Sequence, residues 1–439
     1  MSEAARAIEN REKAAASSAY GAYVLGILSL VGLFASLDRV MAGVLLQPIK
    51  DEMGVSDTAM GLLVGFTFTA FYVTLGVPIA RWCDVGVRRS ILGLGVAVWS
   101  AFTVLFGCAQ GFMQLALCRV GVAVGEATAH PAAYSLIGDY YSRTQRARAI
   151  SIFRASLSVG SIGGVIVAAS LAQHYGWRAA FVSLGLPGLL LALTLRFTVK
   201  EPLRGANETA SPSSTLTFKQ ALRTIMQDRA LILMAFAMAF GTLTPLGAWI
   251  GPFLLRVHGF SLVEMGVSMG LVAGVGSLSG TLVGGLLWTA LARRGVPDHW
   301  LPAFVAISYL LCMPCLLVVL LHFDMRIMLP AYFLLAFFLT VGAAPMLALV
   351  LNRVSPHARA LTMSLFMMLI TFADGGIGPI AVGILNDVFE PRFGAHAVRY
   401  SLLLCSGSFI FAAALMLLAS RSLARSRSRN PSSSNGAGR

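Results

Sequence analysis

Three ionisable residues lie close together in a stretch that otherwise has the composition of a membrane-spanning helix. Arg119, Glu126 and His130 follow one another at intervals of seven and four residues. At about 100° per residue of helix, their side chains fall within about 40° of one another on one face. A charge at the centre of a bilayer costs about 2.5–3.5 kcal/mol, so such groups normally face a bundle interior or a watery path. The stripe therefore indicates a ligand or proton site.

The first apolar stretch carries two further charges, Asp38 and Arg39, side by side. Their side chains diverge by about 100° on a helix, so the two cannot point the same way. If the first span runs outward and the fourth inward, as the loop charges indicate, Asp38 and Arg119 lie at similar depth. We expect these two residues to pair, which would keep Asp38 ionised until the pair opens. Glu126 is the alternative proton acceptor, because burial favours the neutral form of a carboxyl group.

Less specific roles compete with this interpretation. The buried charges could form a static ion-pair network that fixes the register of the helices. His130 precedes Pro131 and could satisfy backbone groups that the proline frees. Arg154 lies a few residues into the fifth span, where it could meet an anionic ligand or extend to the cytoplasmic interface. Asp374 lies deep in the eleventh span and is a further candidate for the cavity.

A charged loop after the second span predicts a cytoplasmic gate. The sequence GVPIARWCDVGVRRS contains Gly76, Asp84, Arg88 and Arg89. An acid and a basic pair in a short loop suit salt bridges that form in one conformational state and break in the other. Charge bias at the cytoplasmic face would explain the arginines but not the acid. The equivalent loop of the second half keeps an Arg-Arg pair without an acid, so the latch should be asymmetric.

The chain that positions these groups is strongly apolar. It has 439 residues, of which 57% are hydrophobic and 12% charged, and its mean hydropathy is +0.78. These values exclude a soluble protein of this size and indicate an integral membrane protein. The net charge of +14 would suggest nucleic-acid binding in a soluble chain. Here the arginines lie in short loops and tails, as the positive-inside rule requires, so we expect no nucleic-acid partner.

The pattern predicts an all-α membrane protein with twelve transmembrane helices in two six-helix bundles. The predicted spans lie near 20–45, 57–80, 90–109, 112–138, 147–173, 178–199, 229–256, 262–290, 299–321, 327–352, 358–386 and 397–420. Arginine and lysine concentrate in the loops after even-numbered spans, which predicts that both termini are cytoplasmic. The expected domains are a cytoplasmic arm at 1–19, bundles at 20–199 and 229–420, a linker at 200–228 with a surface helix from Phe218 to Met226, and a disordered basic tail at 421–439.

The two predicted bundles are related in sequence. RARAISIFRASLSVGSIGG from Arg146 and RALTMSLFMMLITFADGGIG from Arg359 align at a constant offset close to half the chain, matching Phe153 with Phe366 and Gly163 with Gly376. Duplicated bundles are the architecture in which substrate sites lie near the midplane between repeats. No phosphate-binding loop, Ser-His-Asp set or metal-ligand spacing stands out, so we expect neither an enzyme nor a cofactor or metal.

The chain resembles the major facilitator superfamily, whose loop motif between its second and third helices is similar to GVPIARWCDVGVRR. LDRVMAGVLLQPIKDEMGVSDTAMGLLVGF, RVGVAVGEATAHPAAYSLIGDYYSRTQRARAISIF and GWRAAF resemble its spinster-like branch. The DR of the first span and the VGEA of the fourth also resemble the anion:cation symporters. The spinster resemblance implies a proton-linked transporter. It implies coupling and substrate roles for Asp38, Arg39, Arg119 and Glu126, and gating roles for Asp84, Arg88 and Arg89.

Together these features predict a proton-coupled secondary transporter of the cell inner (cytoplasmic) membrane. It would work by alternating access and move an amphiphilic or anionic small molecule, such as a lysolipid. Its partners would be the substrate, protons and membrane lipids, and we expect a monomer. An organic-anion/proton symporter and a multidrug exporter are the alternatives, and a non-transporting membrane sensor is a third class.

Overall fold

The computed structural model describes residues 3–203, 226–354 and 359–429, and these are helical with short connections. In chain order the helices are α1 Glu3–Val44, α2 Leu46–Met53, α3 Asp57–Gly61, α4 Thr67–Val85, α5 Arg88–Cys108, α6 Phe112–Glu126, α7 Ala129–Tyr140, α8 Arg143–Thr198, α9 Arg229–Thr242, α10 Leu246–His258, α11 Leu262–Val267, α12 Gly274–Arg293, α13 Trp300–Leu321, α14 Met325–Val341, α15 Ala343–Arg353, α16 Arg359–Thr371, α17 Gly378–Phe393, α18 Ala397–Cys405 and α19 Gly407–Arg429. Turns of π-helix join α3 to α4 at Leu62–Phe66, α11 to α12 at Ser268–Ala273 and α16 to α17 at Phe372–Ile377. The predicted all-helical fold is confirmed.

The helices contain ten segments that are long and apolar enough to cross a membrane, within the part of the chain that the structure describes. Two of them, Arg148–Thr198 and Thr362–Arg425, have 51 and 64 residues, whereas one crossing needs about 20. Gly176 breaks the first of these with φ 81°, and Gly394 breaks the second with φ 54°. Each long segment therefore supplies two crossings, which gives twelve.

Large apolar side chains lie exposed along these helices, as a lipid-facing surface requires. Phe197, Leu286 and Leu190 are 78%, 73% and 66% exposed. Helices satisfy their own backbone hydrogen bonds and can present such side chains to lipid without an exposed polar backbone. The exterior of the fold is therefore that of an integral membrane protein.

The first of two compact units comprises residues Met1–Ile49 and Ala70–Ser211. Within it α8 packs against α1 and α5, and α5 packs against α6. Gly160 and Gly164 allow the close approach of α8 to α1. A Cβ atom at Gly160 would lie 2.2 Å from the carbonyl oxygen of Leu33, and one at Gly164 would lie 2.9 Å from the Cα atom of Leu37. These glycines fix the part of α1 that carries the charged residues.

The second unit comprises residues Lys50–Thr69 and Pro212–Arg439. Its helices α9 and α19 pack together, as do α12 with α14 and α13 with α14. The short helix α3 belongs to this unit and packs against α17. A Cβ atom at Gly61 would lie 2.4 Å from the carbonyl oxygen of Pro379, so the two backbones are in contact there.

Most of the predicted surface helix from Phe218 to Met226, and much of the predicted tail, lie outside the described residues.

Candidate functional site

The charged site of the first unit begins with an ion pair between α1 and the end of α6. Nη2 of Arg39 lies 2.8 Å from Oε2 of Glu126, and Nε of Arg39 lies 3.2 Å from the same oxygen. The Glu126 side chain is fully buried, whereas that of Arg39 is 39% exposed. The Arg39 guanidinium also stacks over the Tyr72 ring, 4.8 Å from its centroid. Arg39 therefore connects a buried carboxylate to an accessible surface.

Asp38 precedes Arg39 in the chain and is buried. Its Oδ1 atom lies 2.6 Å from the hydroxyl of Thr103, and that hydroxyl also lies 2.9 Å from the carbonyl oxygen of Trp99. A hydroxyl group has one proton and can donate it to only one of these acceptors at a time. When the proton goes to Trp99, the Thr103 oxygen can accept a hydrogen bond from a protonated Asp38. This geometry suits both protonation states of the carboxyl group.

The carboxyl groups of Asp38 and Glu126 lie close enough to interact electrostatically with each other. Oδ2 of Asp38 and Oε1 of Glu126 are buried, and the described residues supply neither atom with a hydrogen-bond donor. Two carboxylates that interact at low dielectric repel strongly, and such pairs bind a shared proton. Arg119, which is also buried, interacts electrostatically with both carboxyl groups. The predicted direct pairing of Asp38 with Arg119 stays a prediction.

Local features of the sequence bring these residues together. Helix α6 ends at Glu126, and a turn at Ala127 and Thr128 separates it from α7. Gly121 and Gly125 bring α6 against α5. A Cβ atom at Gly121 would lie 2.3 Å from the Phe102 ring, and one at Gly125 would lie 2.6 Å from the backbone nitrogen of Trp99. Close contact at small residues is typical of helix packing in membranes. It brings the charged face of α6 to the level of Thr103.

His130 and Arg154 have different surroundings. The break before α7 turns His130 into an aromatic cluster, with its ring centroid 6.1 Å from that of Tyr134 and 6.4 Å from that of Phe153. The His130 Nδ1 atom is buried and forms no hydrogen bond with the described residues. Arg154 is exposed, and both Arg39 and Arg154 act electrostatically on His130. Neither residue joins the Asp38 and Glu126 pair directly, and their predicted roles in the site stay predictions.

The predicted gate arginines hold parts of the first unit together. Arg88 is 2% exposed, forms a short ion pair with Asp139 of α7, and lies 2.7 Å from Oε1 of Glu201. The Arg89 backbone N–H donates to Oε2 of Glu201 over 2.9 Å, and its guanidinium donates to the carbonyl oxygen of Val199 over 3.0 Å. These contacts fix the start of α5 against the end of α7 and the segment after α8. A gating role for the two arginines stays a prediction.

The structure gives less information on the roles of the other predicted gate residues, Asp84 and Gly76. Asp84 is exposed near the end of α4. A Cβ atom at Gly76 would meet nothing within 4 Å, so close packing does not explain that glycine.

Asp374 lies in the second unit, in the π-helical turn Phe372–Ile377, and its side chain is exposed. Its predicted place in the cavity stays a prediction.

A second charged site lies within the second unit and was missed from the sequence. Asp57, 2% exposed, accepts hydrogen bonds from both terminal guanidinium nitrogens of Arg256 over 2.5 and 2.7 Å. It also lies 2.7 Å from Nζ of Lys50 and accepts from Nδ2 of Asn386 over 2.8 Å. Asp387 accepts from the backbone N–H groups of Asp57 and Thr58, over 2.9 Å each, at the start of α3. Two features of the sequence could have indicated this site: Asn386-Asp387 late in the eleventh predicted span, and Ser56-Asp57 at the start of the second.

Among the described residues, no group of three or more His, Cys, Asp or Glu side chains is arranged to hold a metal ion. The chemistry available is therefore that of carboxyl groups, guanidinium groups and one hydroxyl group on facing helices. Buried ionisable groups of this kind mark proton relays and substrate paths in membrane proteins.

Comparisons with known proteins show the family of the chain. A family model of the Major Facilitator Superfamily matches residues 28–374. An "MFS-type efflux pump" of Mycolicibacterium smegmatis is 32% identical over 87% of this chain and 88% of its own length. "Protein spinster homolog 3" of Danio rerio is 27% identical over 87% of this chain and 81% of its own.

A solved structure supports the same assignment. It is the crystal structure of a bacterial homologue of the human lysosomal transporter Spinster, in an inward-facing and unoccupied conformation. This chain is similar to it with a TM-score of 0.85 and 28% identity, over 92% of this chain and 98% of that one. The resemblance inferred from the sequence motifs is confirmed, and the protein is a transporter and not an enzyme. The chain belongs to the Major Facilitator Superfamily, in its spinster-like branch.

Proposed function

We propose that the protein is a proton-coupled secondary active transporter of the cytoplasmic membrane that moves an amphiphilic or anionic small molecule, such as a lysolipid. One observation carries this proposal: two buried carboxyl groups, those of Asp38 and Glu126, interact with each other inside the first unit. Each has a buried oxygen atom without a donor among the described residues. A proton bound between them would remove the repulsion and satisfy both oxygens.

The two carboxyl groups would act as one proton site, so the proton is assigned to Asp38 and Glu126 together. Strongly interacting groups titrate as a pair, and a single microscopic site cannot be assigned to either. Asp38, Glu126, Arg39 and Arg119 form a cluster of four ionisable residues. When the two carboxyl groups share one proton, this cluster carries one net positive charge. Loss of that proton makes the cluster neutral and restores the repulsion between the carboxyl groups. Any rearrangement that separates them would then be favoured.

This change in charge is what coupling requires. A ligand or proton shifts a conformational equilibrium only by as much as it binds the two states differently. Arg39 belongs to the proton site and is also 39% exposed beside Tyr72. An anionic group of a substrate could therefore compete with Glu126 for the same guanidinium. Proton binding and substrate binding would be linked through Arg39.

A multidrug exporter is the second candidate function. It is favoured by the identity of 32% to the mycobacterial efflux pump, over most of both chains. Under this alternative the proton site would be the same and the substrate would be an apolar drug.

We further propose that both termini are cytoplasmic, and that Arg88 and Arg89 belong to a cytoplasmic gate together with Asp84 and Gly76.

The test is transport into proteoliposomes with an imposed pH gradient. Lysolipids, small organic acids and neutral hydrophobic drugs are compared as substrates of the wild-type protein, of Asp38→Asn and of Glu126→Gln. We expect a lysolipid to be transported in the wild type, with dependence on the gradient that both variants lose. Asp298→Asn, which changes an exposed acid in a loop, is the matched control.

Two results would contradict the proposal. If transport of every compound is independent of the pH gradient in the wild type, the proton coupling is absent. If only neutral hydrophobic drugs are transported, the exporter alternative replaces the lysolipid assignment.

A further inference from the structure

One end of the second unit brings a histidine and an arginine to the same phenylalanine ring. His258 is the last residue of α10, which ends at Gly259 with φ 67°, and Arg399 is the third residue of α18. Helix α18 packs against both α10 and α13. The ring centroids of His258 and Phe323 are 5.4 Å apart, and Cζ of Arg399 lies 5.0 Å from the Phe323 centroid. Two basic side chains from different helices therefore meet at one aromatic ring.

The buried nitrogen atoms of these two side chains lack hydrogen-bond partners. Nε and Nη2 of Arg399 and Nε2 of His258 are buried, and the described residues supply no partner for any of them. The nearest acid along the chain, Asp324, accepts from the backbone N–H of Arg326 and caps the start of α14. A guanidinium group is always charged, and its buried donors are costly to leave unpaired. An anion bound between the two side chains would satisfy these nitrogens.

The surroundings are those of a membrane interface. His258, Phe323 and Arg399 lie where the predicted seventh and ninth spans end and the twelfth begins. Phe323 is 62% exposed, and Leu321 beside it is 52% exposed. Basic pockets between the ends of transmembrane helices are places where lipid head groups bind. An exposed apolar surface next to buried donors therefore favours a lipid over a free ion.

The start of α18 adds to the same preference. It has no side-chain cap, and the start of a helix attracts an anion through its free N–H groups and its dipole. Side chains of a helix tilt toward its first turn, so the guanidinium of Arg399 extends in that direction. Arginine can donate two parallel hydrogen bonds to a phosphate group.

We propose that Arg399 and His258, held against Phe323, bind the phosphate group of a membrane lipid. The phosphate would pair with the buried nitrogens, and the acyl chains would lie along the exposed apolar side chains beside Phe323. A lipid bound in this way would link the end of α10 to the start of α18. This lipid site lies in the second unit and does not depend on the proton site of Asp38 and Glu126.

The experiment is native mass spectrometry of the full-length protein in detergent, which measures the dissociation constant of the first bound lipid. Dioleoylphosphatidylglycerol carries a phosphate group, and dioleoylglycerol has the same acyl chains without it. We expect the wild type to bind the phospholipid about tenfold more tightly, as for a charge-assisted hydrogen bond. Arg399→Gln should remove most of this preference. His258→Phe, which keeps a ring beside Phe323, should reduce it about threefold.

The matched control is Arg392→Gln, which removes an exposed arginine at the end of α17 and should keep the preference. The proposal is overturned if the wild type binds both lipids equally, or if the control loses as much as Arg399→Gln. It is also overturned if Arg399→Gln keeps the preference with a melting temperature that shows it folded. If that variant does not fold, an unchanged preference in His258→Phe overturns the proposal.

Inorganic phosphate at millimolar concentration distinguishes a lipid from a free ion. We expect it to displace little of the bound phospholipid, because it lacks the apolar contacts beside Phe323. Full displacement by phosphate, with no effect of the same concentration of chloride, would assign the site to a free ion and contradict the lipid assignment.

Discussion

Asp57 and Asp38 are both buried acids at helix contacts, yet their surroundings are opposite. Asp57 receives two hydrogen bonds from Arg256, one from Asn386 and an ion pair from Lys50. Asp38 has one hydroxyl group, a neighbouring carboxyl group, and an oxygen without a donor among the described residues. The first acid is saturated as an anion, and the second is the one that we propose to accept a proton.

The difference indicates how a membrane protein separates structural charges from working ones. A buried carboxylate with several charged donors stays ionised, and removing it leaves those donors buried and unpaired. Two buried carboxyl groups that interact bind a shared proton, and the charge of the pair changes when that proton is lost. We therefore expect substitutions of Asp57 to change stability and substitutions of Asp38 to change coupled transport.

The largest expected effect on stability is that of Asp57→Ala. It leaves Arg256 and Lys50 without their buried anion and should lower the free energy of unfolding by about 3–5 kcal/mol. Thermal unfolding in detergent measures this as a large fall in melting temperature, with Asp298→Ala as the control. An effect no larger than that of the control would mean that Asp57 is not a structural anchor.

An intermediate effect is expected from Gly160→Ala, which pushes α8 away from the part of α1 that carries Asp38. Its new methyl group would overlap the carbonyl oxygen of Leu33 and should cost about 1–3 kcal/mol. Gly163→Ala is the matched control in the same helix, because a Cβ atom there meets nothing within 4 Å. The same thermal measurement compares the two variants, and equal melting temperatures would refute the close contact between α1 and α8.

The smallest effect on stability is expected from Asp38→Asn, at less than about 1 kcal/mol. The amide resembles a protonated carboxyl group and can keep a hydrogen bond with Thr103. The melting temperature of this variant should stay near that of the wild type while its coupled transport is lost. A destabilisation as large as that of Asp57→Ala would assign Asp38 a structural role and remove the contrast.

Much of the fold and part of the site could be predicted from the sequence. Apolar stretches of membrane-spanning length set the helices, and a charge within such a stretch stands out because lipid excludes it. This reasoning identified Asp38, Arg39, Arg119 and Glu126 as candidates, and the structure places Arg39 and Glu126 in an ion pair and Asp38 close enough to interact with Glu126. The pairing of Arg39 with Glu126 was missed.

What was missed depends on three-dimensional contacts that no local pattern encodes. The break in the helix after Glu126 has no signal in the sequence, because neither Ala127 nor Thr128 is a strong helix breaker. Thr103 shows no signal, because a threonine in an apolar helix is common and its partner lies on another helix. Asp57 was missed because an acid at a span end is expected at an interface, whereas it is buried here against Arg256 and Asn386, which lie 199 and 329 residues further along the chain.

The shared proton is tested most directly by an infrared difference spectrum between the wild-type protein and the double variant Asp38→Asn/Glu126→Gln at neutral pH. If the two carboxyl groups share a proton, the wild type contains one protonated carboxyl group that the double variant lacks. Each single variant should also lose this band, because the shared site needs both residues. A spectrum in which the wild type gains only ionised carboxylate bands would contradict the account.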